Sequence, residues 1–278
     1  MEQRQFGAAG PEVSVIGQGT WNLESGDRAR AVAALRKGLD LGMTHIDTAE
    51  YYGAAENVVG EAIAGRRREV FLVSKVMPSN ASRRGTIEAC EKTLAKVNSD
   101  YLDCYLLHWR GRYPLEETFS AFEQLQQAGK IRSWGVSNFD VPDLEDAVKA
   151  GGAAMACNQV LYHLQERAIE HAVLPWCEQH GVAVVAYSPF GSGNFPGIRV
   201  SGRKVLDEIA EARGLTARQV ALAFLVRREP VLTIPKASSP EHAAENAAAG
   251  KLRLSDAEIE RLDQAFPRGP KPRSLPMI

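Results

Sequence analysis

VFLVSKVMPSNASRRGTIEACEKTLAKVNSDYLDCYLLH, residues 70–108, contains two apolar runs joined by an amphipathic segment. The first run ends at Lys75 and the second at His108, and residues 82–98 between them carry apolar side chains at helical spacing. This order predicts a strand, a helix and a second strand parallel to the first, because parallel strands need a crossover connection. Each strand then presents a reactive side chain at its carboxyl end.

The same alternation of apolar runs and helical segments extends along the whole chain. Strand candidates lie near Val15, Ile46, Leu72, Leu106, Val136, Met155, Val184 and Leu232. Several of these runs are almost continuously apolar, which is typical of parallel strands buried on both faces. We therefore predict an α/β fold, a (β/α)8 TIM barrel, which at about 250 residues would occupy nearly the whole chain.

Two features complete the predicted architecture. Short extended pieces flank GAAGPE within residues 5–16, which predicts an N-terminal β-hairpin cap over the bottom of the barrel. Ten helical segments give two extra helices beyond one for each strand, and the last two, residues 240–250 and 255–266, close the chain. No linker, repeat or low-complexity segment divides residues 1–278, so we expect a single domain.

A doubly wound sheet is the competing fold. Its first strand is usually followed by a G-x-G-x-x-G turn that opens a helix and holds a dinucleotide. GQGTWN, residues 17–22, lacks the third glycine and is not followed at once by a helical segment. The barrel is therefore favoured.

Composition and charge exclude several classes of partner. The net charge is −1, so no global field favours nucleic acid or an anionic membrane. No run approaches the roughly 20 apolar residues of a membrane span, and MEQRQFGAAG at residues 1–10 has no apolar core of signal-peptide type. Cys90, Cys104, Cys157 and Cys177 form no CxxC pair and are expected to be free thiols. We expect a cytoplasmic protein.

Reactive side chains fall at the ends of the strand candidates. They are Asp47, Lys75, His108, Ser137, Asn138, Gln159, Tyr187 and Lys236. Each residue alone has an ordinary structural explanation, such as a strand-end cap or a packed aromatic. In a barrel, however, the carboxyl ends of all strands converge on the face that holds the active site. The combination therefore predicts one site.

Three of these residues, Asp47, Lys75 and His108, suit proton chemistry at a carbonyl together with Tyr52. Tyr52 follows Asp47 in a loop, and a phenol with an ordinary pKa near 10 is a poor proton donor at neutral pH. The ammonium of Lys75, held by Asp47, would stabilise the phenolate and lower that pKa. His108 can hydrogen-bond a carbonyl oxygen. Such a set suits the reduction of a carbonyl by hydride.

Seven segments together resemble the aldo-keto reductase superfamily. They are IDTAEYYGAAENVVG (46–60), FLVSK (71–75), LDCYLLHW (102–109), WGVSNF (134–139), CNQVLYH (157–163), AYSP (186–189) and IPKASSPEHAAEN (234–246). They occur in the family's order over nearly the whole chain, which makes the ordered set highly specific. The chain looks most like bacterial reductases of small aldehydes, including the methylglyoxal-reductase type.

The resemblance implies an NADPH-dependent carbonyl reductase that also oxidises alcohols in reverse. Tyr52, rather than the neighbouring Tyr51, matches the proton donor, Lys75 and Asp47 match its tuning pair, and His108 matches the residue that orients the carbonyl. Trp21, Tyr52, His108 and Trp109 match the substrate wall. Other implied cofactor contacts are Gly19, Thr20, Trp21, Asp47, Ser137, Asn138, Gln159, Tyr187, Ser188, Phe190, Gly191, Ser192, Lys236, Ser238, His242, Glu245 and Asn246.

One position departs from the family pattern. Many members place an arginine against the adenosine 2′-phosphate, but this chain has His242 there. A neutral histidine lacks the charge and the bidentate fork of arginine, while Lys236 keeps one positive charge nearby. We therefore expect an NADPH preference that is weaker than usual, with NADH tolerated.

Two other function classes stay open. A barrel of this superfamily can serve as a cofactor-binding regulatory subunit with little turnover. A metal-dependent hydrolase would need clustered histidine and carboxylate ligands at strand ends, where only His108 among the six histidines lies, so no metal is expected. The expected partner is a small-molecule carbonyl, bound by a monomer. The tail, residues 266–278, contains four prolines and is expected to lie across the pocket mouth.

Overall fold

The computed structural model describes residues 1–23, 25–193, 195–197, 200 and 202–278. Within these ranges it contains ten strands and ten α-helices. The strands are β1 (Gln3–Gln5), β2 (Glu12–Ser14), β3 (Gln18–Gly19), β4 (His45–Asp47), β5 (Phe71–Val76), β6 (Leu102–Leu107), β7 (Ile131–Ser137), β8 (Cys157–Leu161), β9 (Ala183–Tyr187) and β10 (Val231–Thr233). The helices are α1 (Arg28–Asp40), α2 (Ala55–Ile63), α3 (Arg83–Val97), α4 (Leu115–Gln127), α5 (Val141–Lys149), α6 (Val173–His180), α7 (Arg203–Ala212), α8 (Ala217–Leu225), α9 (Pro240–Ala249) and α10 (Asp256–Ala265).

Strands β3 to β10 pair in sequential order in one parallel sheet, and the sheet closes on itself. Ile16 pairs with Thr233 and Gly19 pairs with Lys236 across the seam. Gly19 is required for this approach, since a Cβ atom there would lie 2.5 Å from the carbonyl oxygen of Ile234. The predicted (β/α)8 barrel is confirmed.

The N-terminal hairpin closes the lower end of the barrel. Strands β1 and β2 are antiparallel, as predicted. Phe6 and Val13 of this hairpin belong to the cluster inside the barrel, and the ring centroids of Phe6 and Phe71 are 4.6 Å apart. The hairpin therefore plugs the barrel with apolar side chains at the end opposite the strand carboxyl termini.

Helices cover the outer face of the sheet. Ile46, Leu72 and Leu107 point outward from their strands into the main apolar core that the helices complete. Local signals fix the helix ends: α8 and α10 each begin with a capping box, in which the cap side chain and the third helical residue exchange hydrogen bonds with the backbone. No helix in the described ranges is both long and apolar enough to span a membrane.

Two elements differ from the sequence prediction in their bounds. The strand expected near Met155 begins at Cys157. The segment IEHAVLPWCEQHG, residues 169–181, predicts a helix, which begins at Val173 after a short 3-10 turn. Buried charges hold that turn: Arg167 pairs with Glu170 at 2.7 Å and also donates to the carbonyl oxygen of Phe266. The break before Val173 is explained by Pro175, the third residue of α6, which has no N–H to donate and would clash with the carbonyl group of His171 in a continuous helix.

Candidate active site

A buried ion pair lies at the upper, carboxyl end of the barrel interior. Lys75 ends the inward-facing row of β5, and its Nζ donates to Asp47 Oδ1 at 2.5 Å and to the carbonyl oxygen of Thr48 at 2.8 Å. The second carboxylate oxygen of Asp47 accepts a hydrogen bond from Gln159 Nε2 at 2.7 Å. Burial lowers the pKa of Lys75, but Asp47 and Tyr52 outweigh it and raise that pKa, so Lys75 stays charged.

Tyr52 adjoins this pair through its hydroxyl group. Its Oη lies 3.4 Å from Lys75 Nζ, whereas Tyr51 points outward and is 57% exposed. Burial raises the pKa of Tyr52 above its ordinary value, and the charge of Lys75 acts in the opposite direction. Lys75 thus acts to lower the pKa of Tyr52, as expected from the sequence, but burial outweighs it and the net pKa is raised. The phenol is protonated at neutral pH.

His108 faces the same end of the barrel as a neutral imidazole. Burial, followed by the charge of Lys75, lowers its pKa to about 3. Its ring centroid lies 5.7 Å from that of Tyr52 and 4.8 Å from that of Trp109. Nδ1 of His108 has no hydrogen-bond partner among the described residues. This ring can therefore offer a hydrogen bond to a ligand without bringing a charge.

Amide and hydroxyl groups from three neighbouring strand ends form a connected cluster. Asn138 donates to the carbonyl oxygen of His108 at 3.1 Å and accepts from the Tyr187 hydroxyl at 2.9 Å. Ser137 donates to the carbonyl oxygen of Gln159 at 2.8 Å. Asn138 has φ +62°, a left-handed conformation that turns its side chain back toward the site. The strand-end residues of β7, β8 and β9 therefore lie together, as the sequence predicts.

A groove of about 420 Å³ leads from this cluster along the barrel mouth. Trp21, Asp47, Tyr52 and Tyr187 line its inner end. The predicted contacts farther along the groove that also line it are Gly19, Thr20, Ser188, Phe190, Gly191, Ser192 and Lys236. Arg218 lines the groove as well; sequence reasoning missed it, because it follows no strand and its only signal is an isolated charge in the first turn of a helix.

A second cavity, of about 210 Å³, meets the groove at Tyr52. His108 and Trp109 form part of its wall, as predicted, and Tyr51 adds an aromatic edge. Ser137, Asn138, Gln159 and Tyr187 form its polar side. Met277 and Ile278 also line it, so the proline-rich tail does lie across the mouth. Tyr52 and His108 thus face a small aromatic chamber.

The predicted adenine-side residues divide into two sets. Glu245 lines a third cavity of about 260 Å³ and accepts a hydrogen bond from the Thr216 hydroxyl at 2.6 Å. Asn246 is buried, while Ser238 and His242 are exposed, and in the described part of the chain none of these three lines the three cavities. The same ranges contain no cluster of three or more histidine, cysteine or acidic side chains arranged to hold a metal ion.

Comparison with known proteins identifies the family. A model of the Aldo/keto reductase family matches residues 15–266. The chain is 45% identical to the methylglyoxal reductase YeaE of Escherichia coli (strain K12), with both chains fully covered. It is 33% identical to the glyoxal reductase of Bacillus subtilis (strain 168), covering 91% of this chain and 89% of that protein.

A solved structure is similar over its whole length. The aldo/keto reductase from Klebsiella pneumoniae in complex with NADP and acetate superposes with a TM-score of 0.95 at 44% identity, and each chain is fully covered. The match to this structure, like that to YeaE, extends over the barrel, the site loops and the tail. The chain belongs to the aldo/keto reductase family.

Proposed function

We propose that this protein is an NADPH-dependent reductase of small aldehydes and ketones, with methylglyoxal-like dicarbonyls among its substrates. One observation carries the proposal: Lys75 Nζ lies between Asp47 and the hydroxyl of Tyr52, where the groove meets the aromatic chamber. Tyr52 can therefore act on a ligand in the chamber while its ionisation is governed by groups beneath it. The methylglyoxal and glyoxal reductases among the relatives support the substrate class.

The groove and the adjoining polar side of the chamber together fit a nicotinamide dinucleotide. Ser137, Asn138 and Gln159 supply donors and acceptors for a carboxamide, and the face of Tyr187 suits a nicotinamide ring. The loop from Ser188 has positive φ there and at Gly191 and Gly193, and such turned backbone forms anion-binding concavities. The bound cofactor would supply hydride to the carbonyl carbon.

The chain's own residues would handle the proton and the developing charge. Neutral His108 donates a hydrogen bond to the carbonyl oxygen and fixes its direction. Tyr52 gives its hydroxyl proton to that oxygen as negative charge develops on it. Lys75, held by Asp47, then stabilises the phenolate that remains. The reverse alcohol oxidation uses the same groups with the phenolate as base.

The chamber's size and charge support small neutral substrates. Its volume of about 210 Å³ is below the usual range of ligand pockets, about 300–1,000 Å³, and the carboxamide-binding side chains line the same cavity, so only a small substrate fits beside the nicotinamide. Arg110, which follows the wall residue Trp109, forms ion pairs with Asp143 and Asp146 at 3.0 and 3.1 Å. Its charge is therefore largely compensated, which favours uncharged carbonyls over oxoacids.

We extend the proposal to a monomer in the cytoplasm. All four cysteines are buried and free, which suits a reducing compartment. Every group in the proposed mechanism comes from one chain, so the chemistry requires no second copy. Size-exclusion chromatography with light scattering tests the oligomeric state.

The decisive assay measures NADPH oxidation by the purified protein with methylglyoxal and with a nitrobenzaldehyde. We expect NADPH loss that depends on the carbonyl and matches the alcohol formed, identified by mass spectrometry. Tight NADPH binding without turnover on a broad carbonyl panel would contradict the reductase and favour the regulatory-subunit alternative.

A further inference from the structure

We propose that Arg218 recognises the 2′-phosphate of NADPH and sets the cofactor preference of this chain. The inference rests on the proposed function, because it assigns a residue to the cofactor of the same site. It concerns the distal end of the groove, where the sequence pattern places no arginine.

Arg218 borders two cavities at once. It lines the groove together with Lys236 and Phe190, and it lines the third cavity together with Thr216 and Glu245. Its guanidinium lies 5.4 Å from the ring centroid of Phe190 and 5.3 Å from that of Phe195. Two aromatic rings therefore lie beside the guanidinium at the boundary of the two cavities, and the side chain is exposed there.

The connectivity of a dinucleotide decides which group meets this arginine. The turned backbone of residues 188–193 suits the pyrophosphate. The family resemblance places the adenine beside Glu245, which lines the third cavity. The adenosine ribose joins these two parts, so it must pass the boundary between the two cavities. A phosphate on its 2′-oxygen would then lie near Arg218, whose planar fork matches phosphate geometry.

The position of Arg218 in its helix also indicates an anionic ligand. It is the second residue of α8, where the positive end of the helix dipole disfavours a cation. In the described ranges no acidic side chain forms an ion pair with it. A bound phosphate would be stabilised by the arginine and by the helix terminus together.

His242 lines none of the three cavities in the described part of the chain. It is exposed in the first turn of α9, and its backbone N–H is used by the Ser239 cap. We infer that the cationic role expected at that position is filled from α8 instead. The preference for NADPH should then exceed what a histidine at position 242 implies.

Equilibrium binding separates this inference from the proposed function. Dissociation constants for NADPH, NADH, 2′,5′-ADP and 5′-AMP are measured by calorimetry for the wild type, Arg218→Met, Arg218→Lys and His242→Ala. Arg218→Met keeps an unbranched stem against the two phenylalanines. Arg261→Met is the matched control, since Arg261 is an exposed arginine on α10 and its loss changes the net charge equally.

Arg218→Met should weaken NADPH and 2′,5′-ADP about 10- to 100-fold, the range of a charge-assisted contact, and leave NADH and 5′-AMP within about twofold. Arg218→Lys should lose less affinity for NADPH and 2′,5′-ADP than Arg218→Met. His242→Ala and Arg261→Met should leave all four dissociation constants unchanged. Equal weakening of NADPH and NADH, no weakening, or a preference that follows His242 would overturn the assignment. A wild type that binds neither dinucleotide would instead refute the proposed function.

Discussion

The two ends of the barrel interior are built from the same strands but differ in their inward side chains, which are polar at the upper end and apolar at the lower end. At the upper end, the inward side chains are Asp47 and Lys75, which form a buried ion pair, and His108, which lines a cavity. At the lower end, Phe6 and Phe71 fill the space. Inward side chains of one strand thus either belong to the proposed site or pack in the apolar plug, according to their height in the barrel.

Two buried histidines sharpen this comparison. Burial lowers the pKa of His108 to about 3 and that of His45 to about 4, so both are neutral at physiological pH. His108 reaches the aromatic chamber, whereas His45 lies against the rings of Phe6 and Phe71. The same lowering of the pKa by burial thus occurs at the proposed site and in the apolar plug, where we expect it only to cost stability.

The largest expected effect comes from the upper end. Lys75→Met removes the cation beside Tyr52 and leaves the Asp47 carboxylate buried without its ion pair. We expect kcat to fall about a thousandfold and the free energy of unfolding to fall by about 3 kcal/mol or more. Urea unfolding and steady-state kinetics measure the two losses.

The pH dependence sharpens the Lys75 test. Because Lys75 lowers the pKa of Tyr52, the alkaline limb of any residual reduction should move to higher pH in Lys75→Met. Lys149→Met, which removes an exposed lysine, is the control and should leave the rate and its pH profile unchanged. Wild-type kinetics in Lys75→Met would show that the pair has no catalytic part.

A matched cavity at the lower end should affect only stability. Phe6→Ala removes a fully buried ring, and we expect unfolding to become easier by about 3–4 kcal/mol. Methylglyoxal turnover per folded molecule should stay unchanged, because the hairpin does not reach the chamber. A fall in kcat/KM comparable with that of Lys75→Met would break the division between the two ends.

The lower histidine should leave a signature in acid. A folded-state pKa depressed from 6.5 to about 4 means that the unfolded chain takes up the proton first. Stability is therefore full above pH 6.5 and is lost as pH falls toward about 4, by about 3 kcal/mol for His45.

His45→Leu should reduce the loss of unfolding free energy between pH 6.5 and about 4, whereas His242→Leu, at an exposed position, should not. Denaturant unfolding at several pH values checks both variants. An unchanged acid slope in His45→Leu would mean that His45 is not held neutral by burial.

The smallest effect is expected at the rim. Met277→Ala enlarges the chamber without touching the proton donor, so KM for methylglyoxal should rise several-fold, about 1 kcal/mol, at unchanged kcat. A change in kcat alone would place the tail in the chemical step rather than in binding.

The strand-end pattern was sufficient to predict the barrel. It also predicted that Asp47, Lys75 and His108 lie close together, because the carboxyl ends of parallel barrel strands meet on one face. It was not sufficient for contacts across the mouth. The hydrogen bond from Gln159 to Asp47 joins residues on strands far apart in sequence, and no spacing rule encodes it. Arg218 lies on a helix whose placement depends on tertiary packing. Likewise, the net pKa of Tyr52 depends on burial, which a motif does not contain.

The central claim is that Tyr52 donates the proton. Single-turnover NADPH oxidation with methylglyoxal is compared in Tyr52→Phe and Tyr51→Phe, with NADPH affinity measured in both. The account predicts a loss of about 10²- to 10⁴-fold in Tyr52→Phe at unchanged NADPH affinity, and a wild-type rate in Tyr51→Phe. A near wild-type rate in Tyr52→Phe, or equal losses in the two variants, would contradict it.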